Sequence, residues 1–568
     1  MKHRLLAPLV ALSIAGGMLV QTAVNTGGVR ASTASPAPAT VSAQQVSTAA
    51  VTGVTRNLFS LPTEANAAST NASPRQMPLL PLGPRKVGSS PSAAAQAQTV
   101  TPAQAPSAAL SPSEAFNGMA DSPTICPYFG SGCQPPDMAL AVSPTRVFQG
   151  VNTSFSLYTK EGGIIAGPVN AQNFFGVPNP SPANCDPAGP FLSDPRAFYD
   201  PNTGLVWASS LQIENALGLA PKCHYQSAVW IANLNPLNGV MHVYRVDTAL
   251  GTTTNANDFD LLGFNATIIG MSVNLFNRAG TAFTGTEVQF LNKHDMELGL
   301  PAPRTTFTKL TAGGVLLDTV QPVETEVPAA SDPGVLYLAD SFNSPDPSGS
   351  NCVTSVCHGF TVFAYDATTM NLTQKTVTAP SLPYLEPAPA DQPGCNACIE
   401  SLDNRISATP VFSRDGGLDL ISFAHETAVF NGAQVVPAAQ WVQLHADLMS
   451  HAISGLSEYQ GGTLALSGDQ TASFPAVMPD AQNNLTMVFD AMGHARNPSI
   501  LVASRSSDAP LGTLGPPSLL KQGLTTTSNS RWGDYEATSY DGFSTNHVWV
   551  AAQYSGANRD WATWIAQP

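Results

Sequence analysis

Apolar and polar positions alternate in short runs from residue 113 onward, the period-two pattern of half-buried β-strands. Arg146-Val-Phe-Gln-Gly-Val-Asn-Thr-Ser-Phe-Ser-Leu-Tyr, Gly204-Leu-Val-Trp-Ala-Ser-Ser-Leu and His547-Val-Trp-Val-Ala-Ala-Gln-Tyr are examples. Clusters of Gly, Pro, Asn and Asp separate the runs and read as turns. Val435-Val-Pro-Ala-Ala-Gln-Trp-Val-Gln-Leu reads as one more strand, and no long amphipathic helix is visible.

A longer period overlies this texture. Seven polar or Pro-bearing leads each open a set of strand-like runs, at intervals of roughly 55 to 80 residues. They begin at Pro135-Pro-Asp, Ser193-Asp-Pro-Arg, Asp258-Phe-Asp, Gln321-Pro-Val-Glu-Thr-Glu, Asp403-Asn-Arg, Ser473-Phe-Pro and Arg531-Trp-Gly-Asp-Tyr-Glu. Three or four further strands follow each lead; after Ser193 they are 205–211, 227–231 and 241–246. A recurring unit of about four strands predicts an all-β fold, a β-propeller, with seven blades favoured over six or eight. A chain of β-sandwich domains would show linkers after residue 113, and none is present. The last unit, 531–568, is one strand short, so a strand from 113–135 is expected to close the ring.

The N-terminal part has a different composition. Lys2 and Arg4 precede the apolar stretch Leu5–Val20, and Val29-Arg30-Ala31 offers a small-residue exit. This is the build of a secretory signal peptide, assigned to 1–31. The alternative, a membrane anchor, asks for about 20 apolar residues, more than the stretch supplies. Residues 32–112 are dominated by Ala, Ser, Thr, Pro, Gln and Val, and are expected to be disordered because they bury too little apolar surface. The folded domain is then 113–568. The expected location is outside the cytoplasm, extracellular or periplasmic, with no membrane span left after signal removal.

Charged residues are only 11% of the chain and the net charge is −15. An acidic, lightly charged protein cannot replace phosphate counterions, which excludes nucleic acid as a partner. All eight cysteines follow residue 125. In an exported chain an even number implies disulfides, and spacing suggests Cys126–Cys133, Cys185–Cys223, Cys352–Cys357 and Cys395–Cys398, with connectivity open. Cys395-Asn-Ala-Cys398 alternatively reads as half a zinc site, but no second CxxC or His pair completes it.

The leads at 135–137, 193–200, 403–405, 473–475 and 531–535, with Asn497-Pro-Ser, resemble a largely uncharacterised family of bacterial secreted, sialidase-like (BNR-like) β-propellers. Arg531-Trp-Gly-Asp-Tyr is the most specific piece. The resemblance spans about 120–568 and implies the fold; it carries no catalytic residues over. Sialidases also carry Ser-x-Asp-x-Gly-x-Thr-Trp boxes in outer turns. Here Ser413-Arg-Asp-Gly-Gly417 continues as Leu-Asp-Leu and directly follows a lead strand, so it reads as a hairpin turn.

In a propeller the leads run nearest the central channel, so their charges can converge. Arg196, Arg405 and Arg531 are candidates for a carboxylate-binding cluster. Asp137, Asp194, Asp403, Asp534 and Glu536 are candidate acid–base or ligand groups. The competing expectation is that these charges pair with each other and tie blades together. No cofactor is required by any motif; a calcium ion in the channel is an option, since carboxylates and backbone carbonyls are suitable hard ligands, although no EF-hand loop is present. His425-Glu426-Thr427 lacks the second His of a zinc-protease helix. His294, His445, His451 and His494 read as surface or core-edge residues, and Trp532 as packing or sugar-stacking. No nucleophile elbow or Walker loop appears. Asn152, Asn265, Asn371 and Asn484 head Asn-x-Ser/Thr triplets. The sequence therefore favours a secreted, monomeric binding or scaffold propeller for a glycan or cell-surface ligand. A sialidase-like glycoside hydrolase and a periplasmic enzyme for a small anionic substrate are the alternatives.

Overall fold

Seven antiparallel sheets stand where the seven leads predict them. They are seen in a computed structural model that describes residues 42–63, 75–76, 98–99, 110–126, 132–178, 191–213, 227–249, 255–343, 346–347, 351–352, 355–430, 434–542 and 544–568. The export signal and the Cys185–Cys223 pair lie outside the described residues. Blades 1 to 6 occupy 139–170, 191–247, 255–312, 321–378, 411–464 and 471–521. Blade 7 takes three strands from 537–567 and its fourth from Glu114–Ala120, which pairs antiparallel with Trp561–Gln567. The ring is a seven-bladed β-propeller closed by a strand from its own beginning. Among the described residues helix is confined to single turns such as Ala171–Phe175 and Lys293–Glu297, and none is long and apolar enough to cross a membrane.

Neighbouring blades pack face to face through aromatic side chains. Phe198 of blade 2 stacks on Phe264 of blade 3 at 3.9 Å between ring centres, and Phe290 of blade 3 on Tyr365 of blade 4 at 3.7 Å. Each sheet thereby covers a face that it would otherwise expose. The turn at Gly416-Gly417 joins the first two strands of blade 5, with both glycines left-handed at φ 54° and 87°. Two successive left-handed residues make a two-residue hairpin turn, so Ser413–Gly417 is a hairpin and not an outer-turn box. Disulfides join Cys126–Cys133, Cys352–Cys357 and Cys395–Cys398.

The expected disorder of 32–112 fails for residues 42–63. Ser42–Ser47 adds a strand to the outer edge of blade 3, and Gly53–Asn57 adds one to blade 2. Composition misleads here because an edge strand is held by main-chain hydrogen bonds and needs few apolar side chains. Val51 and Leu58 are its buried anchors. A chain beginning at residue 110 should therefore still fold and melt cooperatively, with lower solubility from two uncovered edges. A chain beginning at residue 122 loses the closing strand and should not give a cooperative melt. Thermal melting with size-exclusion chromatography checks both outcomes.

Candidate functional site: the clasped channel

The leads turn sharply as they approach the axis. Asp137, Asp194, Phe259, Thr319 and Phe474 have φ between 45° and 58°, in the left-handed region. Strand register shifts at Ser193/Arg196, Asp258/Leu261 and Ser473/Ala476 mark bulges around three of them. A β-bulge re-aims side chains and frees backbone N–H groups from the ladder. A phenylalanine in this region costs about 1–2 kcal/mol, so surrounding bonds must hold it.

Those bonds come from the neighbouring blade, and all seven junctions have one. Asn152 Oδ1 accepts the Asp194 N–H at 2.7 Å between blades 1 and 2. Ser209 Oγ donates to Asp260 Oδ2 at 2.8 Å, joining 2 and 3. Asn274 Oδ1 accepts the Thr319 N–H at 2.7 Å, joining 3 and 4. Ser341 Oγ donates to the Asn404 carbonyl at 2.7 Å, joining 4 and 5. Glu426 Oε1 accepts the Phe474 N–H at 2.7 Å, joining 5 and 6. Trp532 Nε1 donates to Asp490 Oδ2 at 2.6 Å, joining 6 and 7. Asp137 Oδ1 accepts the Asp534 N–H at 2.8 Å and closes the circle between 7 and 1.

The three lead arginines are buried and engaged. Arg196 crosses the channel: Nε donates to the Asp260 carbonyl at 3.2 Å and Nη1 to the Ser407 carbonyl at 2.7 Å. Its guanidinium lies over the Tyr535 ring at 3.4 Å. Arg405 makes a bidentate pair with Asp403, at 2.7 and 2.6 Å, and faces Phe259 at 4.6 Å. Arg531 donates to Asp534 Oδ2 at 2.8 Å. Arg196 and Arg405 thus meet at Phe259, while Arg531 pairs with Asp534; Asp194 lies within electrostatic reach of both Arg196 and Arg531, and Asp534 within reach of Arg405. Each guanidinium is held by partners inside the ring. Both Asp137 oxygens accept hydrogen bonds, from Asn152 and the Asp534 N–H.

Carboxyls outnumber arginines at the centre, and burial raises them. Asp194 rises to about 6, chiefly by burial and then by Asp534. Burial pushes Glu324 up to about 7, and burial and then the Glu324 charge raise its neighbour Glu326 well above the usual range. Asp490 is pushed up to about 8 by burial, and Glu536 well above its usual range by burial and then by Asp490. Like charges this close disfavour double ionisation, so the pairs Asp490 with Glu536 and Glu324 with Glu326 each favour one retained proton.

The cavity between the inner strands is lined by Met138, Leu140, Arg196, Glu324, Thr409 and Glu536 among others, from five blades, with about 20 Å³ of free space. That volume holds one or two waters; a pyranose ring does not fit. Sequence reasoning missed Asp260, Glu324, Glu326, Asp340, Glu426 and Asp490 as members of this centre. The signal was present: Leu485-Thr-Met-Val-Phe-Asp490 and Leu336-Tyr-Leu-Ala-Asp340 each set a lone acid in a largely apolar strand, which must be bonded if buried. His425 is fully buried, flanked by Gln440 Oε1 and the Glu426 carbonyl, and burial lowers it to about 4. Asn152 and Asn265 are also buried, so those two triplets present no acceptor in the folded chain.

No family model matches the sequence, and no curated protein matches it. Among solved structures, the parainfluenza virus 5 hemagglutinin-neuraminidase ectodomain is similar at 9% identity and TM-score 0.35, over 84% of this chain and 89% of that one. A Hadza microbial sialidase matches at 9% identity and TM-score 0.33, over 74% and 73%. The Dos1 propeller matches at 8% identity and TM-score 0.33, over 80% and 95%. These likenesses are distant, and the seven-bladed assignment rests on the strand pairing itself.

Proposed function

We propose that the protein is an exported binding or scaffold module that takes its ligand on the surface of the ring, not in the channel. The observation that carries this reading is the engagement of Arg196, Arg405 and Arg531 by internal partners around a space for one or two waters. A glycosidase funnel needs room for a sugar between its two carboxyls, and the cavity among the described inner-strand residues offers about 20 Å³. Export is supported by the basic, apolar and small-residue segments of the N-terminus and by the disulfides.

The rim offers a binding surface of the right character. Val54, Phe59, Leu237 and Val240 are exposed around the edge strand Gly53–Asn57. An apolar patch beside an open strand edge suits a protein or glycan on a cell surface. The test is a panel of fluorogenic glycosides, sialosides included, run with the full chain from pH 4 to pH 8. No turnover is expected. Hydrolysis that disappears in Asp534→Asn, at an unchanged melting temperature, would overturn the reading.

A further inference from the structure

We propose that the face of the ring bearing the leads holds a divalent metal site of the zinc class, built from His494, Asp469 and Asp391. The three residues come from separate segments. Asp469 lies in the connection from Ala452–Leu464 of blade 5 to Thr471–Pro479 of blade 6. His494 lies in the turn between Leu485–Gly493 and Arg496–Arg505. Asp391 belongs to a small hairpin, Ala390–Gln392 with Cys395–Ile399, inserted between blades 4 and 5. In a four-stranded antiparallel blade, the second-to-third turn and the connection between blades fall at the same end. All three therefore meet on one face.

His494 Nδ1 is 3.6 Å from Asp391 Oδ2 and in direct contact with Asp469 Oδ2. The three ligand atoms lie within 4.8 Å of one another. One imidazole and two carboxylates make a donor set suited to zinc, at bonds of about 2.0–2.2 Å. Such bonds set tetrahedral ligand atoms about 3.4 Å apart, close to the Asp391–His494 spacing; Asp469 has only to swing outward. The side chains of His494, Asp391 and Asp469 are 44%, 18% and 26% exposed, so that movement is open to them.

The far side of the ring supplies an independent observation. His494 Nε2 is 2.7 Å from Asn396 Oδ1. A carbonyl oxygen only accepts, so Nε2 carries the proton, and Nδ1 is the ring atom that meets the two carboxylates. Two carboxylates converging on one ring nitrogen ask for a positive centre, which a proton on Nδ1 supplies in the metal-free chain and which a bound cation can replace. An amide oxygen fixing the outer ring nitrogen is also how metal-ligating histidines are oriented. The same hairpin delivers both parts: Asp391 Oδ1 accepts the Ala397 N–H at 2.6 Å, and Asn396 sits inside the Cys395–Cys398 disulfide. The CxxC is thus a brace for the site and not its ligand. Three protein ligands leave a fourth position open to solvent, where an anionic ligand can bind.

The test uses the full chain without a histidine tag, stripped by chelator and titrated with zinc chloride in a calorimeter. One equivalent is expected to bind. His494→Ala and Asp469→Asn should each weaken it at least tenfold, and Asn396→Ala by about 10–100-fold. Metal-free melting temperatures should stay near wild type, because all these side chains are at the surface. Absence of binding, or an affinity unchanged in His494→Ala, would overturn the site and leave an imidazolium–carboxylate ion pair.

Discussion

The melting temperature is expected to be higher at pH 5 than at pH 8. Carboxyls in an unfolded chain titrate near pH 4. In the ring, burial first of all pushes Asp318 and Glu324 up to about 7, and Glu426 and Asp490 up to about 8. Folded values above unfolded ones mean that the ring binds more protons than the open chain between pH 4 and 8. The stabilisation is then complete below pH 4 and is lost as the pH rises through 7 and 8. One group raised by about three units contributes ~4 kcal/mol more at pH 4 than at pH 8, a large part of a usual total of about 5–15 kcal/mol. The surface does not oppose this trend strongly. With 24 Lys and Arg and 10 His in 568 residues, acid builds little positive repulsion. Urea midpoints measured from pH 4 to pH 8 check the slope. Glu426→Gln keeps an oxygen for the Phe474 N–H while removing one titration, so its curve should be flatter between pH 6 and 8. A wild-type curve that rises with pH would rule out the proton-sharing centre.

What the sequence made legible follows from which forces have a linear signature. The blades were readable because strand alternation and Pro- or Asp-bearing leads recur, and the closing strand because the last unit was one short. The outer strands at 42–47 and 53–57 were not readable, since main-chain pairing leaves no mark on an Ala-, Ser- and Thr-rich segment. Arg196, Arg405 and Arg531 of the leads are buried. Their partners could not be deduced, because the acceptor for Arg196 is a backbone carbonyl at Ser407, far away in sequence. The second-strand acids had a local signal that attention to the leads passed over. His494 had none, because its neighbours come from an inserted hairpin and a connection between blades.

Asn152→Ala should be the most damaging single substitution at the centre, costing about 4–6 kcal/mol. Asn152 is fully buried and uses its whole side-chain amide. Nδ2 donates to the Pro135 carbonyl at 2.8 Å and to Asp137 Oδ2 at 2.7 Å. Oδ1 accepts from Ser193 Oγ at 2.9 Å and from the Asp194 N–H at 2.7 Å. Asp137 in turn holds the Asp534 N–H, so one amide links blades 7, 1 and 2 at the point where the ring closes. Truncation strands a buried N–H, a buried carbonyl and a carboxyl, at about 1–3 kcal/mol for each neutral group. Asn371→Ala, at an exposed strand position, should stay within about 0.5 kcal/mol of wild type. Asn152→Asp separates shape from chemistry. It keeps the volume but sets a second carboxyl oxygen against Asp137 Oδ2, a contact tolerable only with a shared proton. That variant should approach wild-type stability at pH 4 and fall far below it at pH 8, read from urea midpoints at both. A loss under ~1 kcal/mol for Asn152→Ala would mean that the closing strand Glu114–Ala120 holds the ring without the Asn152 bonds; four buried bonds on one amide stand against that outcome.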